Sequence, residues 1–434
     1  MSNRAVRFSL FAKAWQAAAG LLTIPFVIFY LGPAKQGYYY TFSSLIALQS
    51  FFELGLGIVI SVYASHEWHK LRLSSERRIV GEPESLSRLT SLGRFVIGYS
   101  GVMSLAYLLI VGAVGYYVLA RDQVLDVDWV QPWILHVIFS AMLLSGTSLL
   151  SLLEGCDQMA EVAMFRLAQS VVAHFALWGA LAVGLELWAL VGYSLASVLA
   201  QAIYFTVWQR RFFSAFLLAP QRERLSWRRD LLPMQWRLAV QGLFSYMNFP
   251  LFTSLSYAYQ GAVEAGRLGM TLQILSGIQA FALVFLRARV PEFSLLAAAR
   301  AHSELVMRSK QATLHSVAVM FGLCALAILA LLGLHSLSLP QVERVLSPTI
   351  FLIFSLGIVC TGIVQGIALY LRVHKMEVLT WVGVIVGCCY GLLGWQACSR
   401  FGAIGIAWSY TVVTAFVAVP FTLMVLRLKQ HRLS

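Results

Sequence analysis

The sequence has little charge: only 12% of its 434 residues are Asp, Glu, Lys or Arg, whereas 59% are hydrophobic. Soluble domains carry roughly a quarter charged residues, so this chain cannot cover a water-soluble surface. The composition excludes a soluble enzyme, a disordered chain and a nucleic-acid-binding module. The apolar residues form continuous runs of about 20 residues, the length that a helix needs to cross a bilayer. They do not alternate as in a β-barrel. We therefore predict an all-α polytopic membrane protein.

Sequence motifs for catalysis and metal binding are also missing. The chain has no G-x-S-x-G, H-E-x-x-H or Walker A motif, so we expect neither an enzyme nor a bound cofactor, and no ATP-driven step. Its six cysteines show no C-x-x-C spacing, and we interpret them as reduced structural residues. The first apolar run is too long for the core of a cleavable signal peptide and is expected to form the first membrane helix.

The apolar runs predict twelve membrane spans. Their approximate ranges are 9–31, 38–64, 95–119, 132–153, 162–183, 188–208, 234–258, 265–287, 313–335, 347–370, 376–398 and 403–427. The Lys and Arg residues fix the orientation, because loops on the cytoplasmic side are enriched in them. Of the 32 Lys and Arg residues, 27 fall on the side that holds both termini, which predicts cytoplasmic termini and an even number of spans. The net charge of +13 is thereby explained by topology and attraction to anionic lipid.

The spans divide into two halves of six. The predicted division is an N-terminal lobe over residues 1–208, a basic cytoplasmic linker over 209–233, and a C-terminal lobe with a short cytoplasmic tail over 234–434. Both halves begin on the same side, so a repeat between them would be parallel, with a pseudo-twofold axis along the membrane normal.

Matching residues support this repeat. Pro25 in the first span recurs as Pro250 in the seventh, and the second and eighth spans open with Gly37 and Gly266. A proline within a span removes a backbone hydrogen bond and kinks the helix. Pro25 and Pro250 are therefore either fixed kinks or matched hinges on which the two halves rock.

Two titratable residues lie inside predicted spans. Glu53 stands well inside the second span, where a carboxylate is costly unless it faces a partner, a cavity or a proton. It is a candidate for ion coupling, and the alternative is a structural carboxylate that holds its helix to a neighbour. His174 lies near the middle of the fifth span and is a weaker coupling candidate, because such a histidine is usually hydrogen-bonded within the helix bundle.

Several cations lie at the ends of spans, where a basic side chain commonly reaches toward the headgroups. Lys13 and Arg237 are related by the repeat and would meet at the cytoplasmic mouth, forming a site for a phosphate-bearing headgroup. Arg166 also lies near the cytoplasmic end of its span and is a third candidate. Arg267 is the counterpart on the outer side, and an ion pair with Glu264 is an equal alternative for it.

Several short motifs resemble a known family. Leu31-Gly32-Pro33 and Gly37-Tyr38 precede Glu53-Leu54-Gly55-Leu56-Gly57, and the second half carries Arg289-Val290-Pro291-Glu292-Phe293-Ser294. Together with the twelve spans, these motifs resemble the polysaccharide transporter family, the Wzx-type flippases of the MOP (MATE-like) superfamily. The family usually has Asp where this chain has Glu53.

The resemblance implies a bacterial cytoplasmic-membrane flippase with two six-helix lobes around a central cavity. Its substrate would be an oligosaccharide on undecaprenyl pyrophosphate, moved from the inner to the outer leaflet for O-antigen, capsule or exopolysaccharide synthesis. Membrane lipids, together with a polysaccharide polymerase or chain-length protein, would be its partners; no nucleic acid is expected. Tyr38 and Tyr246 are candidates for stacking on the sugars, and the alternative is an interfacial aromatic belt.

Other functions remain open. An ion-coupled multidrug antiporter of the same superfamily would have a more acidic cavity and cationic substrates. The lipid II flippase branch of the superfamily usually has two further helices. A membrane polymerase or ligase of lipid-linked sugars would need a large outer loop with catalytic His and Arg, and the predicted outer loops are short.

Overall fold

The computed structural model describes residues 3–53, 55–74, 76–121, 127–218, 232, 235–236, 240, 244, 246–374 and 379–430. Within these ranges the chain is helical apart from its turns and one antiparallel hairpin. The hairpin joins β1 (Leu71–Leu73) to β2 (Ile79–Gly81). Its ends are held together by Lys70, whose ammonium lies 2.8 Å from the Glu82 carboxylate. That hydrogen bond keeps the pKa of Glu82 below its usual range.

The first half of the chain forms nine described helices. They are α1 (Asn3–Tyr30), α2 (Pro33–Ile46), α3 (Gln49–Glu53), α4 (Leu56–Trp68), α5 (Pro83–Leu119), α6 (Val130–Leu153), α7 (Met159–Ala182), α8 (Trp188–Ile203) and α9 (Arg210–Leu218). A π-helical turn joins α6 to α7 over Glu154–Gln158, and another extends α8 over Tyr204–Trp208.

The second half forms seven further described helices. They are α10 (Phe249–Gln260), α11 (Ala262–Ala288), α12 (Val290–Ala298), α13 (His302–Ser336), α14 (Pro348–Val373), α15 (Thr380–Val413) and α16 (Val419–Gln430). A 3-10 turn over Pro340–Arg344 precedes α14, and a π-helical turn over Thr414–Ala418 joins α15 to α16.

Seven helical segments of the described chain are long and apolar enough to cross a membrane, or eight if the bent pair Pro33–Glu53 and Leu56–Trp68 counts as one span. Two of the seven, Val130–Ala182 and Thr380–Lys429, have 53 and 50 residues. At 1.5 Å per residue each is more than twice the hydrocarbon thickness of about 30 Å. Each must therefore contain two spans.

Backbone breaks divide these two segments where the sequence predicts a change of span. Asp157 has φ 58° and ψ 20°, and Gly402 has φ 64° and ψ −143°, neither of which is helical. The second conformation requires glycine, because a side chain is strained at positive φ. With α1 as the first span and α10 as the described part of the seventh, each of the twelve predicted spans has a helix.

The contacts divide the chain into two compact units. Unit 1 comprises Met1–Ala19, Phe29–Leu31 and Leu45–Leu243. Unit 2 comprises Gly20–Ile28, Gly32–Ser44 and Phe244–Ser434. Residues of the first two spans are thus divided between the two units, and the chain changes unit again after residue 243. The lobe boundaries at 208 and 234 stay a prediction.

Unit 1 packs α9 and the hairpin against its spans. Phe212 and Phe216 of α9 are fully buried in one cluster with Leu71 and Ile79 of the hairpin. Arg94 of α5 donates from its Nε to the Phe216 carbonyl at 2.7 Å. Residues four positions apart lie on one face of a helix, so Phe212 and Phe216 together pack α9 against the spans. The predicted linker therefore begins with a packed helix.

Unit 2 brings two glycines of the repeat together. A side-chain carbon added to Gly266 of α11 would lie 2.9 Å from the backbone nitrogen of Gly37 in α2. The buried Gln36 side chain donates to the Gly266 carbonyl at 2.9 Å and to the Arg344 carbonyl at 3.0 Å. Residues that a twofold axis relates can meet each other only near that axis, so this contact supports the pseudo-twofold repeat.

Candidate functional site: a polar cavity beside Glu53

Unit 1 contains a cavity of about 400 Å³ that combines two carboxylates, one guanidinium and several hydroxyls. We call it the Glu53 cavity. Its lining residues are Glu53, Gly57, Ile58, Ser61, Val62, Thr147, Ser148, Ser151, Glu154 and Arg166. It brings together the predicted coupling residue Glu53 and the predicted phosphate ligand Arg166.

A break in the second predicted span positions Glu53. The residue ends α3, and α4 begins at Leu56 after Gly55, whose φ of 65° lies in the left-handed region. Glycine adopts this conformation without the strain that a side chain would add. The Gln49 amide donates to the Glu53 carboxylate at 2.8 Å. A broken span exposes backbone polar groups at membrane depth, which is tolerated where they face protein or a polar cavity.

A turn between α6 and α7 positions the other two charged groups. Arg166 Nη2 lies 3.1 Å from Glu154 Oε1, and the Arg166 and Glu154 side chains are 40% and 22% exposed. With Glu154 paired to Arg166, Glu53 is the one carboxylate that lines the cavity without a lining cation beside it. In this conformation the cavity is therefore suited to a cation or a proton, and Arg166 would have to leave Glu154 to bind a pyrophosphate.

Glycines allow the walls of the cavity to approach closely. A side-chain carbon on Gly57 would lie 2.8 Å from the Ser151 hydroxyl, and one on Gly155 would lie 2.5 Å from the Ser61 carbonyl oxygen. The second contact fixes α4 against the turn that carries Glu154. The shape of the cavity therefore depends on the close approach of these backbones.

Gly155→Ala should lower the free energy of unfolding by about 1–3 kcal/mol, the usual cost of inserting a methyl group into a packed core. Its new carbon would collide with a backbone oxygen, which cannot rotate away. Denaturant unfolding of the purified protein measures the change. Gly98→Ala is the matched control in α5, because nothing lies within 4 Å of the added carbon. Equal effects in both variants would contradict the close approach.

His174 does not line the Glu53 cavity. Its Nδ1 lies 2.7 Å from the carbonyl oxygen of Ser170, one turn earlier in α7. Its ring packs against Trp15, Trp178 and Tyr193 at centroid distances of 6.3, 5.9 and 5.2 Å. His174 thus packs among aromatic rings and does not line the cavity with Glu53. Its coupling role stays a prediction.

The two prolines have different local settings. Pro25 lies inside the continuous helix α1. Pro250 stands in the first turn of α10, after Asn248, where a helix needs no amide donor. Described helical residues also precede this break, at Phe244 and Tyr246, so the break lies inside the predicted seventh span, and the choice between a fixed kink and a hinge stays a prediction. The Pro250 carbonyl accepts a hydrogen bond from the Ser44 hydroxyl at 2.6 Å.

The two predicted sugar-stacking residues are buried within unit 2. Tyr38 has no exposed area, and its ring packs 5.4 Å from that of Tyr257. Tyr246 is 6% exposed and hydrogen-bonds with Ser44 and Ser254. Both side chains are thus buried in this conformation. Stacking on a sugar would require the unit to open.

The remaining cations fall into two groups. Arg267 forms the alternative ion pair with Glu264, at 2.7 Å, and donates from its Nε to the Glu343 carbonyl at 2.7 Å. A phosphate would have to compete with both contacts. The Lys13 side chain and the whole of Arg237 lie outside the described residues, so their predicted pairing stays a prediction.

Sequence reasoning missed Glu154. The signal was available: Thr147, Ser151 and Glu154 follow one another at spacings of four and three residues, which places them on one face of α6 and its extension. A polar face on an apolar span indicates a cavity or a partner helix. The predicted fourth span ends at residue 153, one residue before Glu154, so Glu154 was not predicted to lie in the membrane.

No family model matches the chain, and a search of curated proteins finds no significant match. Solved structures do match its fold. A lipid II flippase, MurJ, in an inward closed conformation is 14% identical, with a TM-score of 0.67 over 97% of this chain and 87% of that chain. A MATE multidrug transporter, DinF-BH, is 12% identical, with a TM-score of 0.59 over 99% of this chain and 96% of that chain.

A third structure shows the same fold at similar coverage. It is the inward-facing conformation of a multidrug resistance MATE family transporter of the MOP superfamily, 12% identical, with a TM-score of 0.54 over 96% of this chain and 98% of that chain. At these identities the likeness is one of fold. The chain is therefore an all-α, multi-pass membrane protein with the fold that the MurJ flippase shares with the MATE transporters.

Proposed function

We propose that this protein is a Wzx-type flippase of the MOP superfamily. It moves undecaprenyl-pyrophosphate-linked oligosaccharide units from the inner to the outer leaflet of a bacterial cytoplasmic membrane. The exported units supply O-antigen, capsule or exopolysaccharide synthesis, together with polymerase and chain-length proteins. Both termini lie in the cytoplasm, as the distribution of Lys and Arg predicts.

One observation carries this proposal: the motif that resembles the family forms a wall of the Glu53 cavity. Glu53 and Gly57 line the cavity, and Gly55 provides the break between them. The residues of the motif thus shape a polar cavity within a span, and a transporter needs such a cavity. The fold adds support, because its neighbours include a flippase of lipid II, which is itself a lipid-linked substrate.

The proposed mechanism is alternating access. Lys13 and Arg237 bind the pyrophosphate, while the lipid tail stays in the bilayer because a polar sugar cannot cross about 30 Å of hydrocarbon unaided. The lobes 1–208 and 234–434 rock about the first and seventh spans, near Pro25 and Pro250. Glu53 exchanges a proton or a cation in its cavity and thereby changes the net charge beside Arg166.

Lys13→Gln and Arg237→Gln should each reduce glycan export about tenfold, the effect of losing one charge-assisted hydrogen bond of about 1.5 kcal/mol. The double variant should lose little more, because both cations bind one pyrophosphate. Surface glycan is measured in a bacterium that lacks its own flippase and expresses this chain with matching sugar-assembly enzymes. Export by both single variants at the unsubstituted level would contradict the phosphate site, provided that protein levels are equal.

The lining of the Glu53 cavity, with two carboxylates and one guanidinium, favours a second candidate, an ion-coupled multidrug antiporter. Two of the similar structures are MATE multidrug transporters. Efflux of a cationic dye from cells that express the chain discriminates the two functions. Dye efflux without glycan export would replace the flippase proposal.

A further inference from the structure

Unit 2 has an apolar groove of about 400 Å³ between α13, α14 and α16. We call it the Lys310 groove. Its lining residues are Val306, Ser309, Lys310, Thr313, Leu314, Val317, Ile363, Gly366, Ile367, Tyr370, Leu423 and Leu426. Leu314 is 58% exposed and Val306 is 39% exposed, so the groove opens at the surface of unit 2.

The groove fits within the depth of a single leaflet. On α13 its lining runs from Lys310 to Val317, a rise of about 10 Å at 1.5 Å per residue. That is less than half of the hydrocarbon thickness of about 30 Å. The predicted apolar run of this helix begins at residue 313, so Lys310 stands at headgroup level. The groove descends from Lys310 toward the middle of the bilayer.

Lys310 supplies the free charge of the groove. Its side chain is exposed and forms no ion pair within the described residues. Arg308, two residues earlier, is instead paired with Glu292 and with Glu304. Two groove hydroxyls are also engaged: that of Thr313 donates to the Ser309 carbonyl at 2.8 Å, and that of Ser309 donates to the Val306 carbonyl at 3.3 Å. A ligand of the groove would thus meet an apolar wall with one unpaired cation at its headgroup end.

We propose that the Lys310 groove binds an anionic phospholipid of the adjacent leaflet. One acyl chain lies along Leu314, Val317 and Ile363, and the lipid phosphate is held by the Lys310 ammonium. Charge complementarity selects an anionic over a zwitterionic lipid, because the net charge of a phosphatidylcholine headgroup is zero. The site lies in unit 2 and shares no residue with the Glu53 cavity.

Native mass spectrometry of the full chain in detergent tests the site, with phosphatidylglycerol, phosphatidylcholine or inorganic phosphate added. We expect phosphatidylglycerol to bind more tightly than phosphatidylcholine and inorganic phosphate not to bind. Lys310→Gln should weaken phosphatidylglycerol binding about fivefold, the effect of one cation near an anionic headgroup. Ile367→Trp, which fills the groove, should weaken both lipids and leave Lys310 in place.

Arg372→Gln is the matched control. Arg372 is an exposed cation near the end of α14 that does not line the groove, so its loss should leave the preference for phosphatidylglycerol unchanged. Equal loss in Lys310→Gln and Arg372→Gln would overturn the site in favour of diffuse attraction to anionic lipid. Tight binding of inorganic phosphate would show a headgroup site without an acyl groove. Thermal unfolding of each variant checks that it is folded.

Discussion

Glu53→Gln should reduce transport at least about tenfold, which corresponds to about 1.4 kcal/mol in the transition state. The replacement amide can still accept the hydrogen bond from Gln49, so folding should change little. It carries no charge and cannot exchange a proton, so the Glu53 cavity would hold only the neutral pair of Glu154 and Arg166. Glu53→Asp should retain transport, because it keeps the carboxylate.

The dependence of export on the pH gradient shows whether protons are the coupling ion. If protons drive transport, an uncoupler that collapses the pH gradient should reduce export by the unsubstituted protein. The residual export of Glu53→Gln should not respond. Full transport by Glu53→Gln would show that the carboxylate is structural. His174 would then be the next residue to replace.

Arg166→Gln should affect both stability and transport. It leaves the partly buried Glu154 carboxylate unpaired, which should lower the free energy of unfolding by about 1 kcal/mol because both side chains are partly solvated. Adding Glu154→Gln should restore stability, since an amide needs no counter-charge. Transport should stay low in the double variant if the guanidinium moves from Glu154 to the pyrophosphate during the cycle.

A matched ion pair elsewhere controls this double-mutant cycle. Arg88 and Glu84 are one helical turn apart in α5, 2.6 Å from each other and about half exposed. Replacing them in the same way should change stability by less than about 0.5 kcal/mol and leave transport unchanged. Recovery of transport in the double variant of Arg166 and Glu154 would assign Arg166 a purely structural role.

The membrane spans could be predicted from the sequence because hydropathy reports what lies in the bilayer. It does not report where a helix ends. α5 begins at Pro83 and α13 at His302, each more than ten residues before its predicted span. These extensions carry polar side chains, as do the hairpin and α9. The packing of the hairpin and α9 within unit 1 rests on a few buried residues, such as Phe212, which a hydropathy window averages away.

The candidate site was predictable only in part, for a physical reason. A single carboxylate such as Glu53 is conspicuous in an apolar run, because its burial is costly. The pairing of Arg166 with Glu154 depends on the turn at Asp157, whose backbone conformation no spacing rule predicts. Arg267 and Glu264 are three residues apart on one helix, and their pair could therefore be foreseen as an alternative.

The second span is divided between the two units: Gly32–Ser44 belongs to unit 2, and the residues from Leu45 onward belong to unit 1. This division constrains how the protein is made. The Gln36 side chain reaches the Gly266 carbonyl, 230 residues later in the chain. During synthesis α2 therefore leaves the ribosome long before α11 exists. Its buried face, which includes Gly37 and Tyr38, must wait in the bilayer while the intervening spans are inserted. The N-terminal half cannot finish folding on its own, although domains commonly fold in the order of their synthesis. A late step of biogenesis is therefore the packing of α11 against α2, one of the first helices to be made.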